Sequence, residues 1–153
     1  MKKTLVRTLL TTGAMLLVIF IYAQPQPGDV VLGKWLNEDQ DAHIEVYKEG
    51  GKYYGKIVWL KEPIEEATGK PKLDDENEDE TLRSRPVMGL VILKDFVWDE
   101  DDSEWDDGTI YDPKNGKTYD CYMNIGEDKT LKIRGYIGFS WIGRNTYWTR
   151  VAK

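Results

Sequence analysis

The chain has 153 residues, with 27 acidic against 21 basic side chains and a formal net charge of −6. That length suits one domain with its own core. The acidic balance argues against a nucleic-acid partner, because neutralising phosphates takes clustered Lys and Arg.

The first segment reads as an address. Lys2, Lys3 and Arg7 precede an apolar run from Leu9 to Tyr22 that ends at Ala23. This is the layout of a secretory signal over residues 1–23, with cleavage expected before Gln24. The run is too short to span a bilayer, which takes about 20 residues, so no stable membrane insertion is expected after cleavage. Removing it leaves 18 basic against 27 acidic side chains. The expected location is the periplasm or the outside of the cell. Cys121 is the only cysteine, which excludes an internal disulfide even there.

Residues 24–29, rich in Pro and Gln, read as a linker to a single domain over 30–153. A first strand is expected around Val30 to Leu36, and a second where Ala42, Ile44 and Val46 alternate with polar residues. The Glu49-Gly50-Gly51-Lys52 turn leads to a third, Tyr53 to Leu60. Residues 61–86 form an irregular acidic insertion broken by Pro63, Gly69, Pro71 and Pro86, with room for one helical turn over Glu62–Ala67. A long strand follows from Val87 to Trp98, then an acidic loop, then a short strand Thr109–Tyr111. The last part is a meander: Tyr119 to Ile125, Leu131 to Ile137, and a return through Gly143 to Trp148.

About eight strands joined by short turns predict an all-β, antiparallel up-and-down barrel, whose closure removes exposed edges. At that strand number the interior is either filled or just wide enough for one small ligand. Sixteen aromatic residues after the leader, including all six Trp, suit either state.

Conventional catalytic groups are scarce. His43 is the only histidine and lies on the face opposite Ala42 and Ile44, so no triad or multi-His metal site is available. Cys121 shares a face with apolar neighbours and reads as a buried, inert thiol. Two acidic runs, Asp74–Glu80 and Asp99–Asp107, read as solvated loops at a barrel rim. Asp99 and Asp101 mimic the start of a calcium loop, but the Gly and Glu that complete one are absent, so no cofactor or metal is expected, with weak divalent-cation binding there as the alternative. The Gly-rich stretch around Phe139-Ser140-Trp141 reads as a portal or docking hairpin exposing two rings.

Two resemblances add to this reading. Gly33-Lys34-Trp35 resembles the Gly-x-Trp signature of lipocalins and related calycin barrels, and Trp148-Thr149-Arg150 stands where their basic cover would come from. The resemblance implies that Trp35 plugs the closed end under Arg150. Tyr54-Gly55-Lys56-Ile57-Val58-Trp59, Arg85-Pro86-Val87-Met88-Gly89-Leu90, Gly108-Thr109-Ile110-Tyr111-Asp112-Pro113 and Leu131-Lys132-Ile133-Arg134-Gly135-Tyr136 together resemble a bacterial exported family, domain of unknown function 2147. That implies a lipocalin-like fold and carries no activity with it.

The leading expectation is therefore an exported, non-enzymatic barrel holding a small, partly apolar ligand among Trp59, Tyr119, Tyr136 and Trp141. Arg134 is the candidate charge at its mouth. Two alternatives stand beside it. One is an envelope interaction protein with a filled barrel; the other is an enzyme built on paired carboxylates.

Overall fold

The computed structural model describes residues 26–152; the expected leader lies outside them. Eight of ten strands close into an antiparallel barrel: β1 (Gly33–Leu36), β2 (Ala42–Glu49), β3 (Lys52–Leu60), β6 (Val91–Asp99), β7 (Glu104–Asp112), β8 (Lys117–Ile125), β9 (Leu131–Tyr136) and β10 (Gly143–Arg150). Each pairs with its neighbour in the chain. The exceptions are β3 with β6, across the insertion, and β1 with β10, which closes the ring. The remaining two, β4 (Ile64–Glu65) and β5 (Lys70–Pro71), form a small hairpin of their own. It occupies the place read as a helical turn. Gly50 and Gly51, both with positive φ, make the two-residue turn between β2 and β3 as expected.

The interior is graded by side-chain size. One half holds Trp35, Tyr53, Phe96, Trp105, Met123 and Leu131, all essentially without solvent contact. The other half is walled by Ala42, Ile57, Ile92, Ile110, Gly135 and Thr146. Large rings fill a cylinder of eight strands, whereas aliphatic and small residues leave space along its axis.

The residues read as a linker do structural work at the filled end. Pro27–Val31 forms a 3-10 turn there, and Gly28 is buried. A Cβ on Gly28 would lie 2.6 Å from the Tyr53 hydroxyl and 2.8 Å from Trp98 Cβ, so only glycine fits. Trp105 Nε1 donates to the Gly28 carbonyl at 3.1 Å. Asp29 accepts from Lys48 and from the Tyr53 hydroxyl, each at 2.8 Å. Trp35 Nε1 donates to the Val31 carbonyl at 2.8 Å. The Arg150 guanidinium stands 4.1 Å from the Trp35 ring centroid and donates to the carbonyls of Val30 and Leu32.

Several boundaries differ from the sequence reading. The first strand, expected from Val30, begins at Gly33 because Pro27–Val31 forms the 3-10 turn, and the short strand expected at Thr109–Tyr111 is part of the longer β7, Glu104–Asp112. The strand expected at Val87 begins at Val91, because Gly89 takes a positive φ and Leu90 N–H turns back to the Val87 carbonyl. The acidic stretch Asp99–Asp107 is not a loop. It is a tight hairpin in which Trp98 pairs with Trp105 and Asp99 with Glu104, because Trp105 is drawn into the core.

Two measurements check this closed end. Trp35→Ala should lower unfolding free energy by about 4 kcal/mol and Arg150→Ala by about 1–2 kcal/mol. In urea denaturation the two should couple by about 1 kcal/mol in a double-mutant cycle; full additivity would contradict the stacked arrangement. The Lys48 hydrogen bond, with help from Tyr53, holds the Asp29 carboxyl below its ordinary range. A depressed folded-state value contributes stability that is present above about pH 4 and lost as pH falls through it. Asp29→Asn should therefore flatten the acid limb of the stability profile measured by thermal melts.

Candidate functional site

The unfilled half of the barrel is a cavity of about 1000 Å³, at the upper end of the range for ligand pockets. Its deep wall is Ile44, Ile57, Ile92, Ile110, Ile133 and Trp148. The inward alternation of β8, β9 and β10 puts Tyr119, Gly135 and Thr146 on the same surface. Tyr119 is half-buried, and its hydroxyl accepts from Asn115 Nδ2 at 3.1 Å.

The segment 61–90 crosses between β3 and β6 and roofs one side of the mouth with Leu73 and Val87. It is tied along its length by backbone hydrogen bonds, including Val87 N–H to the Lys72 carbonyl and Asp74 N–H to that of Arg85. Its anchor is Asp74, which is fully buried rather than solvated as its acidic run suggests. The Asp74 carboxylate accepts a short hydrogen bond from the Tyr111 hydroxyl. It also accepts from Asn77 Nδ2 at 2.8 Å and from Arg85 Nε at 2.8 Å. Asn77 in turn donates to the Tyr111 hydroxyl at 2.9 Å. Burial first, and then Asp74, push the Tyr111 phenol above its ordinary range. The buried carboxylate thus has a partner on every side, which is what its desolvation requires.

Charged side chains ring the opening. Lys114, on the turn between β7 and β8, reaches Asp39 at 2.7 Å and Asp41 at 2.9 Å on the turn between β1 and β2. Burial pushes Asp41 up, but hydrogen bonds from Asn37 and Lys114 outweigh it and its carboxyl titrates below the ordinary range. Lys72 pairs with Glu62 at 3.3 Å. Beside the mouth, the segment after β9 exposes Ile137, Phe139, Trp141 and Ile142. The Phe139 and Trp141 rings stack with centroids 4.5 Å apart.

The residues expected at the ligand are divided by this geometry. Tyr119 and Tyr136 line the cavity, with the Tyr136 ring 6.4 Å from that of Tyr122. Trp59 does not; it stacks on His43 at 4.4 Å and is 40% exposed. The cause is a bulge at Val58, which pairs His43 with Trp59 but the next residue, Ile44, with Ile57. A one-residue shift moves Trp59 to the outer face and Leu60 to the inner one. Arg134 is also on the outside, donating to the Ser140 carbonyl at 2.6 Å and to Asn145 Oδ1 at 2.8 Å. It braces the exposed segment, and Arg144 is the arginine that lines the mouth. Trp141 is 72% exposed and outside the cavity lining. Trp148, Ile57 and Ile110 were legible as apolar strand residues but not as cavity walls.

The other chemistry-bearing groups stand away from the cavity. Asp99 accepts from the backbone N–H of Asp101 at 2.9 Å and of Asp102 at 3.4 Å, shaping the hairpin turn. Among the described residues no cluster of His, Cys, Asp and Glu is arranged to hold a metal ion. Burial, with Asp106 and Asp102 nearby, pushes the Glu104 carboxyl up, yet Glu104 is at the filled end. Cys121 is fully buried, and burial pushes its thiol far above the ordinary range.

A family model described as "Uncharacterized protein conserved in bacteria (DUF2147)" matches residues 33–150. The chain belongs to this family. The match starts at the glycine before the plugging Trp35 and ends at Arg150, so the DUF2147 unit coincides with the closed barrel. Among solved structures, the chain is similar to protein HP1028 from Helicobacter pylori, described as belonging to the lipocalin family. The identity is 21%, the coverage 80% of this chain and 83% of that one, and the TM-score 0.66. The DUF2147 chain therefore has a lipocalin-like fold. No curated protein matches its sequence.

The Asp74 anchor is testable. Asp74→Ala strips Tyr111, Asn77 and Arg85 of their shared acceptor and should cost about 3 kcal/mol. Hydrogen exchange should then speed up over 61–90 before it does in the barrel strands; uniform exchange across both would contradict a separable roof.

Proposed function

We propose that this DUF2147 protein is an exported, non-enzymatic barrel that binds a small, partly apolar ligand in the cavity above its aromatic plug. The observation that carries this reading is the half-empty interior. A cavity of about 1000 Å³ with an aliphatic floor and a polar rim matches the general form of a small-molecule site. The lipocalin-like fold supports it by analogy, since fold alone does not assign function. The secretory pattern over residues 1–23 supports export.

The cavity lining also favours binding over catalysis. It includes no Ser, Cys or His among the described residues, so the usual nucleophiles and the usual proton shuttle stand elsewhere. What the site offers instead is shape, apolar surface and a ring of charge. Tyr119 and Trp148 provide ring surface, and Thr146 is the small inward residue between Arg144 and Trp148 on β10.

Native mass spectrometry of protein purified from its own host should show a bound small molecule. Thr146→Trp should occupy the cavity, abolish that adduct and leave the circular dichroism of the barrel unchanged. Repeated recovery of an empty wild-type barrel, or an adduct that survives Thr146→Trp, would count against the cavity as the binding site.

A further inference from the structure

The rim of the cavity is unequal in charge. Eight carboxylate side chains line it against four basic ones. Two of the four bases are already taken: Lys114 by Asp39 and Asp41, and Lys72 by Glu62. Lys61 and Arg144 are the lining cations without an ion pair among the described residues. Among the lining carboxylates Glu38, Glu65, Asp75, Glu76 and Asp112 have none either. The surplus is negative and sits at the entrance, while the interior beneath is aliphatic.

We infer that the cavity selects an amphiphile with an apolar body and a cationic group, such as an alkylammonium, over the same body carrying a carboxylate. This rests on the cavity reading above and adds the chemical class of its occupant. An apolar chain lying along Ile57, Ile110 and Ile133 places its head group at the mouth. There a carboxylate meets surplus negative potential, whereas an ammonium is drawn in. A cleft lined by one sign of charge over low-dielectric walls concentrates the opposite sign. Tyr119 lines the same cavity, and an aromatic face attracts a cation but not an anion. Fatty acids, the obvious apolar ligands of a barrel, are disfavoured by this entrance.

The test uses three probes that share a chain and differ only in head group: octylammonium, octan-1-ol and octanoate. Each is titrated into the purified protein by calorimetry, with intrinsic tryptophan fluorescence, to which Trp148 in the cavity wall contributes, as a second readout. At low ionic strength octylammonium should bind on the order of tenfold more tightly than octanoate, with the alcohol between them. The ratio should shrink toward one as salt screens the rim. A Glu65→Lys, Asp75→Lys, Glu76→Lys triple variant alters exposed side chains and should reverse the order without loss of thermal stability. Octanoate binding as tightly as octylammonium at low salt, or a ratio indifferent to salt, overturns the charge selectivity while leaving the cavity reading intact. Failure of all three probes to bind overturns both.

Discussion

Closure of the barrel depends on a short seam between its first and last strands. β1 and β10 share two registered pairs, Trp35 with Arg150 and Leu36 with Thr149, fewer than any other neighbours in the ring. Arg150 reinforces that seam from outside. Its guanidinium covers the Trp35 face and caps the carbonyls of Val30 and Leu32, which the 3-10 turn leaves without strand partners. One side chain therefore joins the plug, the incoming chain and the final strand. Without closure, the inward faces of eight strands would have no common interior to enclose.

Once closed, the cylinder divides by side-chain volume. Below the cavity the rings of Tyr53, Trp98 and Trp105 meet Gly28 of the 3-10 turn, and Phe96 packs on Gly108. Toward the other end isoleucines replace rings, and the axis opens. The same strands thus build a rigid base and a hollow top. Rigidity at one end lets the other remain unfilled, because the cost of leaving apolar surface uncovered is offset by dense packing below.

The insertion between β3 and β6 gives the hollow end its shape. It stays folded through a buried carboxylate, not through an apolar core of its own. Asp74 gathers Tyr111, Asn77 and Arg85, tying the roof to the barrel wall through Tyr111. Most other acids of the mouth remain in solvent, where they repel one another and set the potential at the entrance. The exposed ring pair Phe139–Trp141 beside that entrance is the feature most in keeping with an interaction role for the surface, the principal alternative to a carrier.

Strand alternation and turn chemistry made the architecture readable in advance. Eight antiparallel segments, the meander of β8 to β10 and the Gly50-Gly51 turn follow from period-two patterning and local backbone preference, which are properties of adjacent residues. The Gly-x-Trp start and the late Arg150 were legible as motifs for the same reason. What only the tertiary structure decided was the side of the wall on which individual residues fall and the neighbours they meet. Trp59 lies outside because a bulge beside it, at Val58, shifts the register, and nothing in its own segment announces that bulge. Asp74 is buried because Tyr111 and Arg85, distant along the chain, arrive to share its charge; in the sequence it is one acid among many. The cavity itself is a volume left between seven strands and a roof, a quantity fixed by the sum of inward side chains and so invisible in any one segment.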